Sequence, residues 1–277
     1  MKTPRRSRRT ALVLAGSIEA LVAVLAFNAT AFAAAITWDN GGLDQLWSNA
    51  LNWNPDSAAS GNDVTFGATG VAAAGTVTNI VDSSVTTNSL TFTNTGGAAS
   101  AHTTQINPSQ TLTVNGAAGF VLNSTGSLSS NVVITGSTGA FTVNGGSTAA
   151  FSVGVVTSAA AATQTLDMSG LGTFTANVGT FGLGTGARQA GVVKLASTNA
   201  ITATTISVGT NTGTAGPASS LTLGLTNVIN ADTFNVGNGR DSGTISFATG
   251  LTGATVTIAN RAGTGAANLT AGDLTAC

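Results

Sequence analysis

A five-residue pattern recurs through the second half of the chain: a Thr, two apolar residues flanking a small or polar one, then a closing small residue. Its copies are Thr180-Phe181-Gly182-Leu183-Gly184, Thr205-Ile206-Ser207-Val208-Gly209, Thr233-Phe234-Asn235-Val236-Gly237 and Thr255-Val256-Thr257-Ile258-Ala259. Alternation of this kind puts Phe181/Leu183, Ile206/Val208, Phe234/Val236 and Val256/Ile258 on one side of a strand and Gly, Ser, Asn or Thr on the other. Between copies lies a second alternating segment, Val193-Lys194-Leu195, Leu221-Thr222-Leu223 and Ile245-Ser246-Phe247, and a third begins at Asn199-Ala200-Ile201 and Asn227-Val228-Ile229. Three short strands per repeat predict an all-β chain wound as a right-handed parallel β-helix. The copies close at Gly184, Gly209, Gly237 and Ala259. Such uneven spacing suits a solenoid, whose loops absorb length differences while its strands stay stacked.

Charged residues make up 7% of the chain, against roughly 25% in an ordinary globular domain. Low charge with positive mean hydropathy argues for packing rather than disorder. Solubility then falls to Thr, Ser and Asn on outward strand faces. With 11 Phe, 36 Gly and only 4 Pro, the sequence suits a narrow tube with an aromatic interior and tight corners.

Residues 1–35 read as a secretory leader: Lys2, Arg5, Arg6, Arg8 and Arg9 precede the apolar run Leu21–Phe27, and Ala31-Phe32-Ala33 or Ala33-Ala34-Ala35 supplies a small-residue cleavage site. Arg8-Arg9 raises a twin-arginine route, but Ala11 is a poor fit to that motif, which favours general secretion. Ser17, Glu19 and Asn28 interrupt the segment short of the ~20 apolar residues of a membrane span. Without the leader, four basic residues (Arg188, Lys194, Arg240 and Arg261) face nine acidic ones, a net charge of −5. That leaves no basic footprint for nucleic acid. Cys277, the single cysteine, either pairs between chains or marks an arbitrary stop in a longer gene product.

Residues 36–70 carry all three tryptophans, Trp38, Trp47 and Trp53, and form the expected N-terminal cap; 71–277 form the repeat region, with Ser158–Ala162 the least strand-like stretch. A solenoid needs capped ends, and large rings plug an open core. The alternative is a sugar-stacking platform built on the same rings. At ~4.8 Å per coil, fewer than ten coils of about 25 residues would span roughly 40 to 45 Å.

The layout Trp47, Asn52-Trp53, Pro55 and Asp63-Val64-Thr65-Phe66, followed by Ser89-Leu90-Thr91-Phe92, resembles the opening of bacterial surface proteins with autotransporter-associated β-strand repeats. These include PEP-CTERM-type proteins of Verrucomicrobia and Planctomycetes. Later runs such as Phe234-Asn235-Val236-Gly237-Asn238-Gly239 look like their repetitive regions. The resemblance implies an exported, passenger-like β-helix without known catalytic residues. It departs from that pattern in showing neither an outer-membrane barrel nor a Pro-Glu-Pro sorting tail before Cys277.

Chemistry-bearing residues are sparse. His102, the only histidine, lies in Ser100-Ala101-His102-Thr103 and reads as a solvated turn residue. Asp232 and Asp241 are the acidic pair that could approach across neighbouring strands for glycoside hydrolysis, with Arg240 available to a lyase, but their spacing marks no site. Asn235, Asn238 and Asp241 share a Gly-rich turn in which calcium could bind, yet the Gly-Gly-x-Gly-x-Asp repeat is missing and no ligand set is assigned. No catalytic, cofactor or metal residue is therefore expected. The leading expectation is a secreted or surface structural or adhesive protein meeting extracellular polysaccharide or cell-surface components. A β-helical polysaccharide-active enzyme and a carbohydrate-binding module are the alternatives.

Cleavage at the Ala-rich junction predicts that exported protein begins near Ala34 or Ile36 on N-terminal sequencing, since small residues at −3 and −1 fit the peptidase. Recovery of Met1 on membrane-bound protein would contradict this.

Overall fold

The computed structural model describes residues 33–67, 76–94, 100–124, 128–261 and 268–271. Most of the proposed leader, residues 1–32, and Cys277 lie outside them. The described part of the chain is almost entirely β, with one 3-10 turn at Ala50–Asn52, and no helix in it is long and apolar enough to cross a membrane.

The strands are β1 (Ala35–Trp38), β2 (Trp53–Asn54), β3 (Asp63–Phe66), β4 (Thr76–Val81), β5 (Val85–Asn94), β6 (Ser100–Ile106), β7 (Thr111–Ser124) and β8 (Ser130–Val153). They continue as β9 (Ala162–Asp167), β10 (Leu171–Leu183), β11 (Gln189–Lys194), β12 (Thr198–Val208), β13 (Ser219–Leu223), β14 (Thr226–Val236), β15 (Gly243–Phe247), β16 (Thr255–Ala259) and β17 (Asn268–Ala271). All stack in parallel except the short antiparallel β1–β2 pair. The chain forms a parallel β-solenoid of three faces.

One face is a flat sheet of seven strands: β4, β6, the start of β8, β9, β11, β13 and β15. The other two are the arms of long strands that bend mid-course. In β12, Thr198–Ala203 forms the first arm and Thr205–Val208 the second, each stacked on its counterpart in β10 and β14. Two of the three expected short strands are thus one continuous strand.

Stacking sorts the interior into columns. On the second arm Ile36, Val64, Leu90, Phe120, Phe151, Phe181, Ile206 and Phe234 lie one above another, and all are buried. Beside them run Phe66, Phe92, Leu122, Val153, Leu183, Val208 and Val236. Rings stack between coils where columns allow: Phe66 on Phe92 at 4.9 Å, Phe120 on Phe151 at 4.8 Å and Phe151 on Phe181 at 4.4 Å with 3° between planes. Offset or stacked rings add to the area they bury.

The closing glycine of the repeat has a geometric cause. Gly154, Gly184, Gly209 and Gly237 follow the second arm in four successive coils with φ of 67°, 59°, 64° and 59°. A side chain there would be strained and, at Gly209, would collide with the backbone of Ser242 and Gly243. Loops leave from these corners with different lengths; residues 154–161 form no strand, which covers the expected Ser158–Ala162 stretch except for Ala162, the first residue of β9.

The fourth copy of the pattern does not belong to this set. Thr255–Ala259 stacks on Thr226–Asn230, the first arm, so Ile258 lies over Ile229 and Val256 over Asn227; the second arm is continued by β17. Val256 and Ile258 are 37% and 42% exposed, not interior. Ala259 in place of Gly is the sequence sign that no left-handed corner follows.

Replacing Val236, fully buried in its column, with Asp is expected to cost several kcal/mol because a desolvated carboxylate meets no partner. Val256→Asp, on the exposed last coil, should cost about 0.5 kcal/mol or less. Thermal denaturation of both variants checks the assignment, and equal losses would refute it.

Candidate functional site

Trp38 at the end of β1, together with Trp47 and Trp53 from the segment inserted between β1 and β3, builds a cap on the first coil. Trp38 packs edge-on against Trp53 at 4.9 Å, Trp47 against Trp53 at 5.1 Å, and all three touch Phe66 at 5.6 to 5.8 Å. The Trp53 indole N–H donates to Trp47 O at 3.1 Å and the Trp47 N–H to Asn79 Oδ1 at 2.7 Å. Backbone bonds from Ile80 N to Gln45 O and from Trp47 N to Ile80 O cover the edge of β4. Outside the rings, the Leu46 amide and the Asn49 and Asn52 side chains donate to Asp44 and hold its carboxyl below the usual range. Each indole is at most 2% exposed. The rings plug the tube, and none is available as a stacking platform for a sugar.

His102 is not a solvated turn residue. It lies on β6, in the column formed by Val77, Val132, Leu166, Val193, Leu221 and Ile245, and is 2% exposed. Its ring meets Phe92 at 5.5 Å and Phe66 at 5.8 Å. Neither ring nitrogen has a hydrogen-bond partner, nor do Asn79 Nδ2 and Thr104 Oγ1 nearby on β4 and β6. Burial pushes its pKa down to about 4.

The acidic candidates do not converge. Asp232, at the bend of β14, pairs with Arg261 at 3.2 Å. Asp241 lies beyond the second arm, at a different corner of the coil, where it is 4% exposed and accepts from the Gly216 amide of the neighbouring loop. Asn235 occupies the outer face of β14 and Asn238 is exposed, so the turn directs no common set of oxygens inward. Among the described residues no three His, Cys, Asp or Glu side chains cluster as a metal site. On the flat sheet Lys194 pairs with Asp167 at 2.7 Å. Partial burial would raise the Asp167 carboxyl, but the Lys194 ammonium and the Ser169 hydroxyl and amide hold it below its ordinary value.

The most regular surface is the outer side of the first arm. One column reads Thr86, Thr113, Thr142, Thr175, Ala200, Val228, Thr257; its neighbour reads Thr111, Ala140, Thr173, Thr198, Thr226, Thr255. A third carries Asn177, Thr202 and Asn230, with Asn177 Nδ2 bonded to Asn144 Oδ1 at 3.0 Å in the coil beneath. No charged residue interrupts these columns. The surface offers hydroxyls and methyls about 4.8 Å apart along the tube and about 7 Å apart across it, on a backbone fixed by the ladder. Period-2 Thr spacing carried this signal in the sequence, but the three strands' faces could be aligned only once the coil register was known.

No family model, curated protein or solved structure matches the chain.

Trp53→Ala should cost about 3–5 kcal/mol, the range for emptying a buried indole site. A platform residue would leave the melting temperature in place and remove only sugar binding, so calorimetry together with glycan binding separates the two roles.

Proposed function

We propose that this chain is an exported, non-catalytic structural or adhesive β-solenoid that binds uncharged extracellular polysaccharide or cell-surface material through the outer face of its first arm. The observation that carries the reading is the uncharged Thr and Asn array, repeated coil after coil. General acid-base chemistry needs tuned groups held together in a cleft. Here the described acidic residues are dispersed over strands and loops, and the one histidine is sealed inside. Repeated weak contacts instead gain strength from copy number. The surface proteins that the chain's opening resembles would use their repeats in this way.

The test is retention on insoluble neutral polysaccharide and on bacterial envelope material. Thr142→Lys combined with Thr175→Lys places two charges at the centre of the array and should weaken retention by about tenfold or more with no loss of fold, because avidity falls with each lost contact. Thr165→Lys, on the flat sheet, should not. Turnover of neutral or uronate-containing polysaccharides that is lost in Asp241→Asn would overturn the reading in favour of a β-helical enzyme.

A further inference from the structure

The interior position of His102 has no role in the proposed surface. Its column otherwise consists of Val, Leu and Ile, and the ring sits between coils directly beneath the cap. Phe66 of β3 and Phe92 of β5 meet its ring, and Val77 of β4 and Val132 of β8 flank it in the column. β4, β5 and β8 carry no acidic or basic residue. The single one on β3, Asp63, turns outward to Asn88 Nδ2 and Ser89 Oγ at 2.6 Å each. Asp82, just after β4, is engaged by Ser48 at the rim. Among the described residues these elements turn no counter-ion toward the imidazole, and neither ring nitrogen has a hydrogen-bond partner.

We propose that His102 is an acid-sensitive latch: protonation of its ring releases the Trp-capped N-terminal coils while the coils beyond them stay wound. A charged imidazole in this position would have to leave the interior to regain solvation. The ring lies against Phe66, on which all three indoles of the cap pack, and against Phe92, so its movement disturbs the seat of the cap. The column ahead of it, through Leu166, Val193 and Leu221, contains nothing that titrates. Solenoid coils are held by their neighbours alone, so one end can open without the rest.

The sign follows from burial. The folded state favours neutral His102, with a pKa depressed to about 4 against an ordinary 6.5. The stabilisation is complete above pH 6.5, declines as pH falls, and is lost once pH passes through about 4. Each unit in that window shifts the closed-to-open equilibrium up to about tenfold, or about 300-fold across it.

The three tryptophans all lie in the cap, so their fluorescence reports this end alone. Lowering pH from 7 to 4 should red-shift the emission and lower the amide protection factors, with rates normalised to the intrinsic exchange rate at each pH, in β3 to β6, while β12 to β14 keep theirs. His102→Val, which matches Val77 and Val132 in the column, should remove the acid step and leave the melting temperature at pH 7 unchanged or higher. An unchanged acid midpoint in that variant would overturn the proposal, as would loss of protection in all coils together. The imidazole can also be followed directly by NMR in the wild-type chain, because it is the only histidine. Titration near 6.5 in the folded state would equally sink it.

Discussion

Backbone N–H and C=O groups in every coil point along the tube, toward the coil above or below, and in-register pairing across that gap governs everything else. A slip of one residue would turn a whole interior column outward. The columns are therefore chemically uniform over most of their length: Val153, Leu183, Val208 and Val236 stack on one another, and so do Phe151, Phe181, Ile206 and Phe234. The same register orders the outside. Threonines that are far apart in sequence become neighbours on the first arm because the interior residues beside them, such as Phe141 and Phe174, are paired in register with ring centroids 5.7 Å apart.

Buried polar groups show how the interior tolerates exceptions. Asn199 donates through Nδ2 to Asn227 Oδ1 at 2.9 Å and to Ala196 O at 2.7 Å, and Asn227 passes the pattern on to Thr255 O. In this pair both Nδ2 donors are engaged, whereas Asn199 Oδ1 is left without a partner. Val256 ends that column in the next coil, where the interior becomes partly exposed. His102 is the contrary case, since the residues above and below it, Val132 and Val77, offer it nothing.

Much of this was legible in the residues. Alternation alone placed Phe181, Leu183, Ile206, Val208, Phe234 and Val236 inside, and the concentration of indoles in 36–70 pointed to a plug. What misled was the ambiguity of Thr-x-Thr-x runs. Thr255-Val256-Thr257-Ile258 suits either arm, and only the missing glycine at 259 distinguishes them. His102 was hidden by its neighbours: the inward positions of β6 are His102, Thr104 and Ile106, so the apolar signal of a half-buried strand is carried by one residue of three. Residues 36–70 carry coil strands as well as the plug: β1 and β3 pair with each other, and the segment bearing Trp47 and Trp53 is inserted between them.

The left-handed glycines have a practical corollary. Because the direction of the chain is reset at Gly154, Gly184, Gly209 and Gly237, the segments that follow, residues 155–161, 185–188, 210–218 and 238–242, vary in length without disturbing the strands on either side. Foreign peptides spliced into 210–218 would be carried at a fixed height on a rigid rod, and a second insert in 155–161 would lie along the same edge two coils away. The molecule is in that sense a ruler with marked positions, on which the distance between two displayed epitopes is chosen by counting coils.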